Sequence, residues 1–194
     1  MDVGNVDMWR SLQLAYSKGQ FAKAKELMDE LIAVDPTSPE GLCAFYLRAR
    51  AYEDGRFGSR EPAKALLDYQ VLVDHAELFG SDGMLGYARV LVHEDARANR
   101  EQAADLLTRA IAMDANLKAM MVLGRLRELG FDDPAGAAKW YLRAYRRGLP
   151  WGLRFYARVQ AREGRRLWAL ACHMVATLTS PWLVLIHGVR SPYK

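Results

Sequence analysis

Apolar and polar positions along this chain recur with the helical spacing of three and four residues. The segment FAKAKELMDELIAVDP shows it first. Phe21, Ala24, Leu27, Met28, Leu31 and Ile32 share one helical face, and Asp35-Pro36 ends the helix. A preceding helix ends near Lys18-Gly19. No stretch combines sustained two-residue alternation with turn dipeptides, so the pattern predicts an all-α chain without a sheet.

The helical segments repeat. ANLKAMMVLGRLRELG ends at Gly130 and PWGLRFYARVQAREG ends at Gly164. Their small residues stand in register: Ala119 with Gly152, Gly124 with Ala157 and Gly130 with Gly164, offset by 33, 33 and 34 residues. The helices between them repeat too, with Ala104 matching Ala138 and Ala110 matching Ala144 at an offset of 34 residues. Small residues at fixed positions let two helices approach closely while larger neighbours fill the grooves. Looser copies lie upstream in EGLCAFYLRARAYEDG, EPAKALLDYQVLVDHA and DGMLGYARVLVHED. Their loops, RFGSRE and EDARAN, are longer, as a stacked helical array tolerates. The pattern predicts antiparallel helix pairs at roughly 8–34, 40–78, 82–114, 116–148 and 150–179. The expected fold is an α-solenoid of about five such pairs with a short apolar C-terminal helix. Residues 1–164 read as the repeat array and 165–194 as apolar C-terminal helices.

Two segments carry a family likeness. AYSKGQFAKAKELMDELIAVDP resembles a tetratricopeptide repeat in its small residues and closing proline. AAKWYLRAYRRGLPWGLRFYARVQAREG is similar to a Sel1-like repeat in Ala138, Trp140, Tyr141, Ala144, Gly148 and Gly164; the upstream copies lack the Trp-Tyr pair. The resemblance implies a non-catalytic scaffold or adaptor that holds another protein on a concave face lined by its first helices. It admits a second role: a membrane-tethered subunit of a bacterial secretion or polysaccharide-export assembly, with the repeat body in the cytoplasm.

The C-terminal run raises the membrane question directly. From Leu167 to Val189 there is no Lys, Arg, Asp or Glu, and Arg162, Arg165 and Arg166 stand just before it. Such a run is a candidate span. Ser180-Pro181, however, reads as a cap followed by a first helical residue, 31 residues after Pro150. The two-helix reading is therefore preferred, with RRLWALACHMVATLT as one helix and PWLVLIHGVR as the next. Each is too short to cross about 30 Å of hydrocarbon. Trp182, Leu183 and Ile186 help make the last helix apolar nearly all round, which predicts a sticky end.

Charge sharpens this picture. Residues 1–100 carry 12 basic and 16 acidic side chains, whereas residues 101–194 carry 15 basic and 7 acidic. Arg143, Arg146, Arg147, Arg154, Arg158, Arg162, Arg165 and Arg166 fall close together, and Arg154, Arg158 and Arg162 form a stripe at four-residue spacing. Arginine grips carboxylates and phosphates through paired N–H groups. The expected partner-binding residues are Arg143, Arg147, Arg154, Arg158, Arg162, Trp182, Leu183 and Ile186. An acidic protein partner, or anionic lipid next to the apolar tail, fits them better than nucleic acid, and self-association through the C-terminal end is a further expectation. Nucleic acid is not expected, since there is no groove-reading module and the aromatic residues sit at core positions.

Nothing in the sequence builds a reaction centre. His75, His93, His173 and His187 are scattered, and Cys43 and Cys172 match neither a disulfide framework nor a zinc site. Both cysteines read as small buried apolar residues. Asp132-Asp133-Pro134 reads as a helix cap rather than a metal-binding pair. No catalytic residue, cofactor, metal or small-molecule substrate is expected. The N-terminus lacks a basic region followed by an apolar run and a cleavage site, so a cytoplasmic body is expected, with inner-membrane association through the C-terminal segment as its variant.

Overall fold

A computed structural model describes the backbone of residues 3–187 and the side chains of residues 7–178. The described residues are helical with no strand. They divide into two compact units, Met1–Glu94 and Asp95–Lys194.

The first unit contains α1 (Val3–Ser17), α2 (Phe21–Val34), α3 (Pro39–Asp54), α4 (Pro62–Asp74), the single turn α5 (Ala76–Phe79) and α6, which runs from Asp82 to Asp95 at the boundary. Local chemistry sets the breaks. Asp35 follows α2 and its carboxylate accepts from the backbone N–H groups of Thr37 and Ser38 at 3.0 and 3.1 Å. Ser38 then caps α3 by accepting from Gly41 N–H at 3.1 Å, with Pro39 in the first turn. Gly55 ends α3 in the left-handed region at φ 74°, which a side chain would disfavour.

Burial follows the helical stripes. Leu12, Ala15, Ala24, Met28, Leu31 and Ala44 join α1, α2 and α3. Leu42, Phe45, Tyr52, Tyr69, Leu72 and Val90 join α3, α4 and α6. Each buried Leu or Met contributes about 1.5–3 kcal/mol relative to exposure. Tyr69 is wholly buried and lies against Gly86, where an added Cβ would overlap the ring. Two ion-pair networks complete this unit. Arg48 donates to both carboxylate oxygens of Asp68 and to Asp29. Glu53 of α3 accepts from Tyr69 of α4 at 2.9 Å and from Arg89 of α6.

The second unit contains α7 (Arg100–Asp114), α8 (Leu117–Leu129), α9 (Pro134–Arg146), α10 (Trp151–Arg162) and α11 (Arg166–His187). Asn116 caps α8, accepting from Lys118 and Ala119 N–H at 3.1 Å. The carboxylate expected to cap α9 does so: Asp133 accepts from Gly136 N–H at 2.8 Å, with Pro134 in the first turn. Its neighbour Asp132 pairs with Arg97 at 3.1 Å. Of the small residues expected at contacts, Ala110, Ala119, Gly124, Gly130, Ala138, Ala144, Gly152 and Ala157 are buried, whereas Ala104 is half-buried and Gly164 exposed. Gly152 shows why size matters, since a Cβ there would overlap the carbonyl oxygen of Tyr141.

The helix boundaries correspond closely to the expected ones, with α5 as an added turn. One feature departs from expectation. The predicted break at Ser180-Pro181 is absent, and a single helix of 22 residues runs from Arg166 to His187. Proline has a helical φ, and although it removes one backbone donor and crowds the carbonyl four residues back, it kinks a helix more readily than it ends one, and no glycine follows until Gly188. Among the described residues, no helix is long and apolar enough to cross a membrane.

Candidate partner-binding site

The basic block is concentrated further along the chain than the halves imply. From Pro134 to Lys194 there are eleven Lys or Arg residues and one acidic residue, Glu163. Of these, Lys139, Arg143, Arg146, Arg158, Arg162 and Arg166 stand at exposed positions of α9, α10 and α11, whose buried positions are mostly apolar.

Side chains of α10 and α11 frame a cleft of about 450 Å³. Arg154, Ala157, Arg158 and Ala161 line it from α10; Arg166, Ala169, Leu170 and His173 line it from α11. The wall is therefore cationic and the floor apolar, and among the described residues no carboxylate lines it. Below the floor, α11 rests on α10 through Cys172 and Ala176 against Leu153 and Ala157. Arg166 and His173 are seven residues apart, two helical turns, and so stand on one flank of α11.

The arginines are positioned by aromatic residues of their own helices. The guanidinium of Arg154 lies over the Trp151 ring at 4.7 Å, and that of Arg158 over Phe155 at 4.8 Å. Arg154 Nε is buried with no hydrogen-bond partner among the described residues. A buried donor without an acceptor costs stability unless something arrives to accept from it.

The predicted stripe of Arg154, Arg158 and Arg162 is divided by a residue the sequence did not single out. Glu128 of α8, with its side chain only 7% exposed, accepts from Arg158 Nη2 at 2.8 Å and from Arg162 Nη1 at 2.5 Å. Tyr141 of α9 donates its hydroxyl to the same carboxylate at 3.2 Å. Burial pushes the Tyr141 hydroxyl above its ordinary pKa, and the neighbouring Glu128 carboxylate adds to the effect. Arg158 and Arg162 each give one N–H to Glu128, whereas Arg154 makes no such bond to it and lines the cleft.

Arg143 lies apart from this cleft. It stacks on Trp140 at 5.1 Å and lines a smaller hollow of about 300 Å³ with Arg127, Asp133, Gly136, Lys139 and Trp140. Arg147 is exposed at the C-terminal end of α9. The side chains of Trp182, Leu183 and Ile186 lie outside the described residues, although their backbone belongs to α11. Arg166 and His173 were not anticipated as site residues; their seven-residue spacing was the available signal. Among the described residues, no group of three or more His, Cys, Asp or Glu side chains could hold a metal ion.

Comparison with known proteins agrees with the helical-repeat reading. No family model and no curated protein matches the chain. Solved structures do. MamA protein is 16% identical, with a TM-score of 0.68 over 98% of this chain and 99% of that one. A thermophilic TPR protein of Thermus thermophilus is 20% identical, with a TM-score of 0.68 over 91% and 92% of the two chains. At these identities the likeness is one of fold, and the fold is that of a tetratricopeptide-like helical repeat.

Proposed function

We propose that this helical-repeat chain is a non-catalytic protein-binding scaffold whose basic second unit grips an acidic segment of its partner. The observation that carries the reading is the α10–α11 cleft, where Arg154, Arg158, Arg166 and His173 converge over an apolar floor without a lining carboxylate. A segment carrying both carboxylates and apolar side chains meets both requirements. Its carboxylates accept from the guanidinium groups, and its apolar side chains cover Ala157, Ala161, Ala169 and Leu170. Nucleic acid fits less well. Base stacking needs a run of open aromatic faces, and arginines already take one face each of Trp140, Trp151 and Phe155, while Trp168 is exposed.

The test uses a fluorescein-labelled peptide of glutamate and leucine at helical spacing, followed by anisotropy. The parent chain should bind it, more weakly as salt rises. Arg154→Glu with Arg166→Glu should weaken binding at least tenfold. Equal affinity of parent and variant at low salt would refute the reading.

A further inference from the structure

We infer that α11 is a self-association helix, pairing antiparallel with α11 of a second copy about a two-fold axis. This rests on a surface that adjoins the cleft and shares Leu170 with its floor. Helix α11 turns Ala169, Cys172 and Ala176 toward the body of its unit, where all three are buried. The opposite face carries Leu167, Ala171, Met174 and Leu178, with Leu170 at its edge, all within about 60° of one line at 100° per residue. Among them Leu167 is 88% exposed, Leu170 64%, Met174 57% and Leu178 75%. Trp168 and Val175 widen the patch on one side. Scattered exposed apolar residues need no explanation, but a contiguous apolar face along a helix marks an interface.

The chemistry of the face selects its occupant. Between Leu167 and Val189 there is no charged residue. An acidic partner gains nothing from such a surface, whereas an equally uncharged apolar face does. Within this chain α1 cannot supply one, because Arg10, Ser11 and Gln13 occupy its exposed side and leave only Leu14 among them. The matching face is α11 itself, and an isologous pair closes without leaving a sticky surface.

Charge also selects the direction. Arg162, Arg165 and Arg166 stand at the N-terminal end of the apolar run. Parallel pairing would bring both sets together. Antiparallel pairing centred between Ala171 and Met174 sets the two Arg166 residues about 20 Å apart along the helices. That exceeds the Debye length of about 8 Å at physiological salt.

Two measurements test the pairing. In sedimentation equilibrium the chain should have about twice its 21.9 kDa mass. Leu167→Glu with Met174→Glu should return it to the monomer with unchanged helical circular dichroism, since both side chains are exposed. In a Cys43→Ser background, Met174→Cys should form an intermolecular disulfide on mild oxidation. Leu167→Cys alone should not, because its two copies would lie about 16 Å apart along the axis, beyond disulfide reach. Several results would overturn the inference: a monomer at all concentrations, an open-ended assembly, a dimer indifferent to the two glutamates, or efficient cross-linking through Leu167→Cys. A chain that stays monomeric but sediments with phosphatidylserine vesicles would overturn it in favour of a membrane surface.

Discussion

Glu128 Oε1 accepts a 2.5 Å hydrogen bond from Arg162 Nη1, 34 residues later in the chain and one hairpin further along. The first unit contains the same device in Glu53, Tyr69 and Arg89, where glutamate and arginine are 36 residues apart. In each case a first helix supplies the carboxylate, the next long helix a buried tyrosine, and the following first helix the arginine. Hairpins that share only small apolar clusters are thereby fixed in rotation as well as in distance. Glu128→Ala should lower stability by about 1–2 kcal/mol, less than a fully buried pair, because Arg158 and Arg162 can turn to water. Urea unfolding followed by circular dichroism measures it. The same substitution releases two guanidinium groups and should strengthen binding of an acidic peptide, which a purely structural Glu128 would not do.

Arg48 is the corresponding anchor between α2, α3 and α4, and its partner Asp68 has a side chain only 8% exposed. Arg48→Ala strands that carboxylate and should cost about 3 kcal/mol. A double substitution with Asp68→Asn should recover part of the loss. Equal losses in the single and double variants would show that Asp68 was not the reason.

Asp29 provides a pH signature of the same network. Burial raises its pKa, but hydrogen bonds from Lys25 and Arg48 outweigh that and hold the carboxyl below its ordinary value. A depressed carboxyl stabilises the fold above its unfolded pKa of about 4 and loses that contribution as pH falls through the folded value. Asp29→Asn should therefore lower the urea midpoint slightly at pH 7, and the difference from the parent should close below about pH 4. The effect is small because Asp29 remains partly exposed.

Close approach of α9 and α10 depends on one missing side chain. Gly152→Ala would place a Cβ in overlap with the Tyr141 carbonyl oxygen and 2.7 Å from the Tyr145 backbone nitrogen. Neither backbone atom can rotate away, so the helices must separate, at a cost of about 2–3 kcal/mol. Thermal unfolding checks this, and an unchanged melting temperature would mean that the two helices do not pack this closely.

Thiol chemistry separates structural from reactive cysteine. Burial raises the pKa of Cys172, and burial followed by the Glu40 carboxylate raises that of Cys43. Cys172 is buried as expected, whereas Cys43 is only partly so; both thiols should react more slowly with Ellman's reagent in the folded chain than in urea, Cys172 the slower of the two.

Most of the fold was legible because local signals agreed. Ser38-Pro39 and Asp133-Pro134 each state where a helix starts, and the spacing of apolar residues states which face it buries. The continuous α11 was not legible, because Ser180-Pro181 reads equally as the start of a new helix and proline alone does not prohibit continuation. The arginine stripe was visible as spacing, but its division was not. Glu128 lies 30 and 34 residues from the arginines it binds, so only the stacking of hairpins reveals the pairing. Arg166 and His173 became neighbours of Arg154 for the same reason: the register between α10 and α11 is set by Cys172 and Ala176 meeting Leu153 and Ala157.

The most direct test of an acidic-partner site is a backbone amide NMR titration of the ¹⁵N-labelled chain with the glutamate–leucine peptide at low salt. The α10–α11 cleft predicts that perturbed amides cluster between Arg154 and His173 and fade as salt is raised. Shifts concentrated in residues 3–94, or none at millimolar peptide, would contradict it.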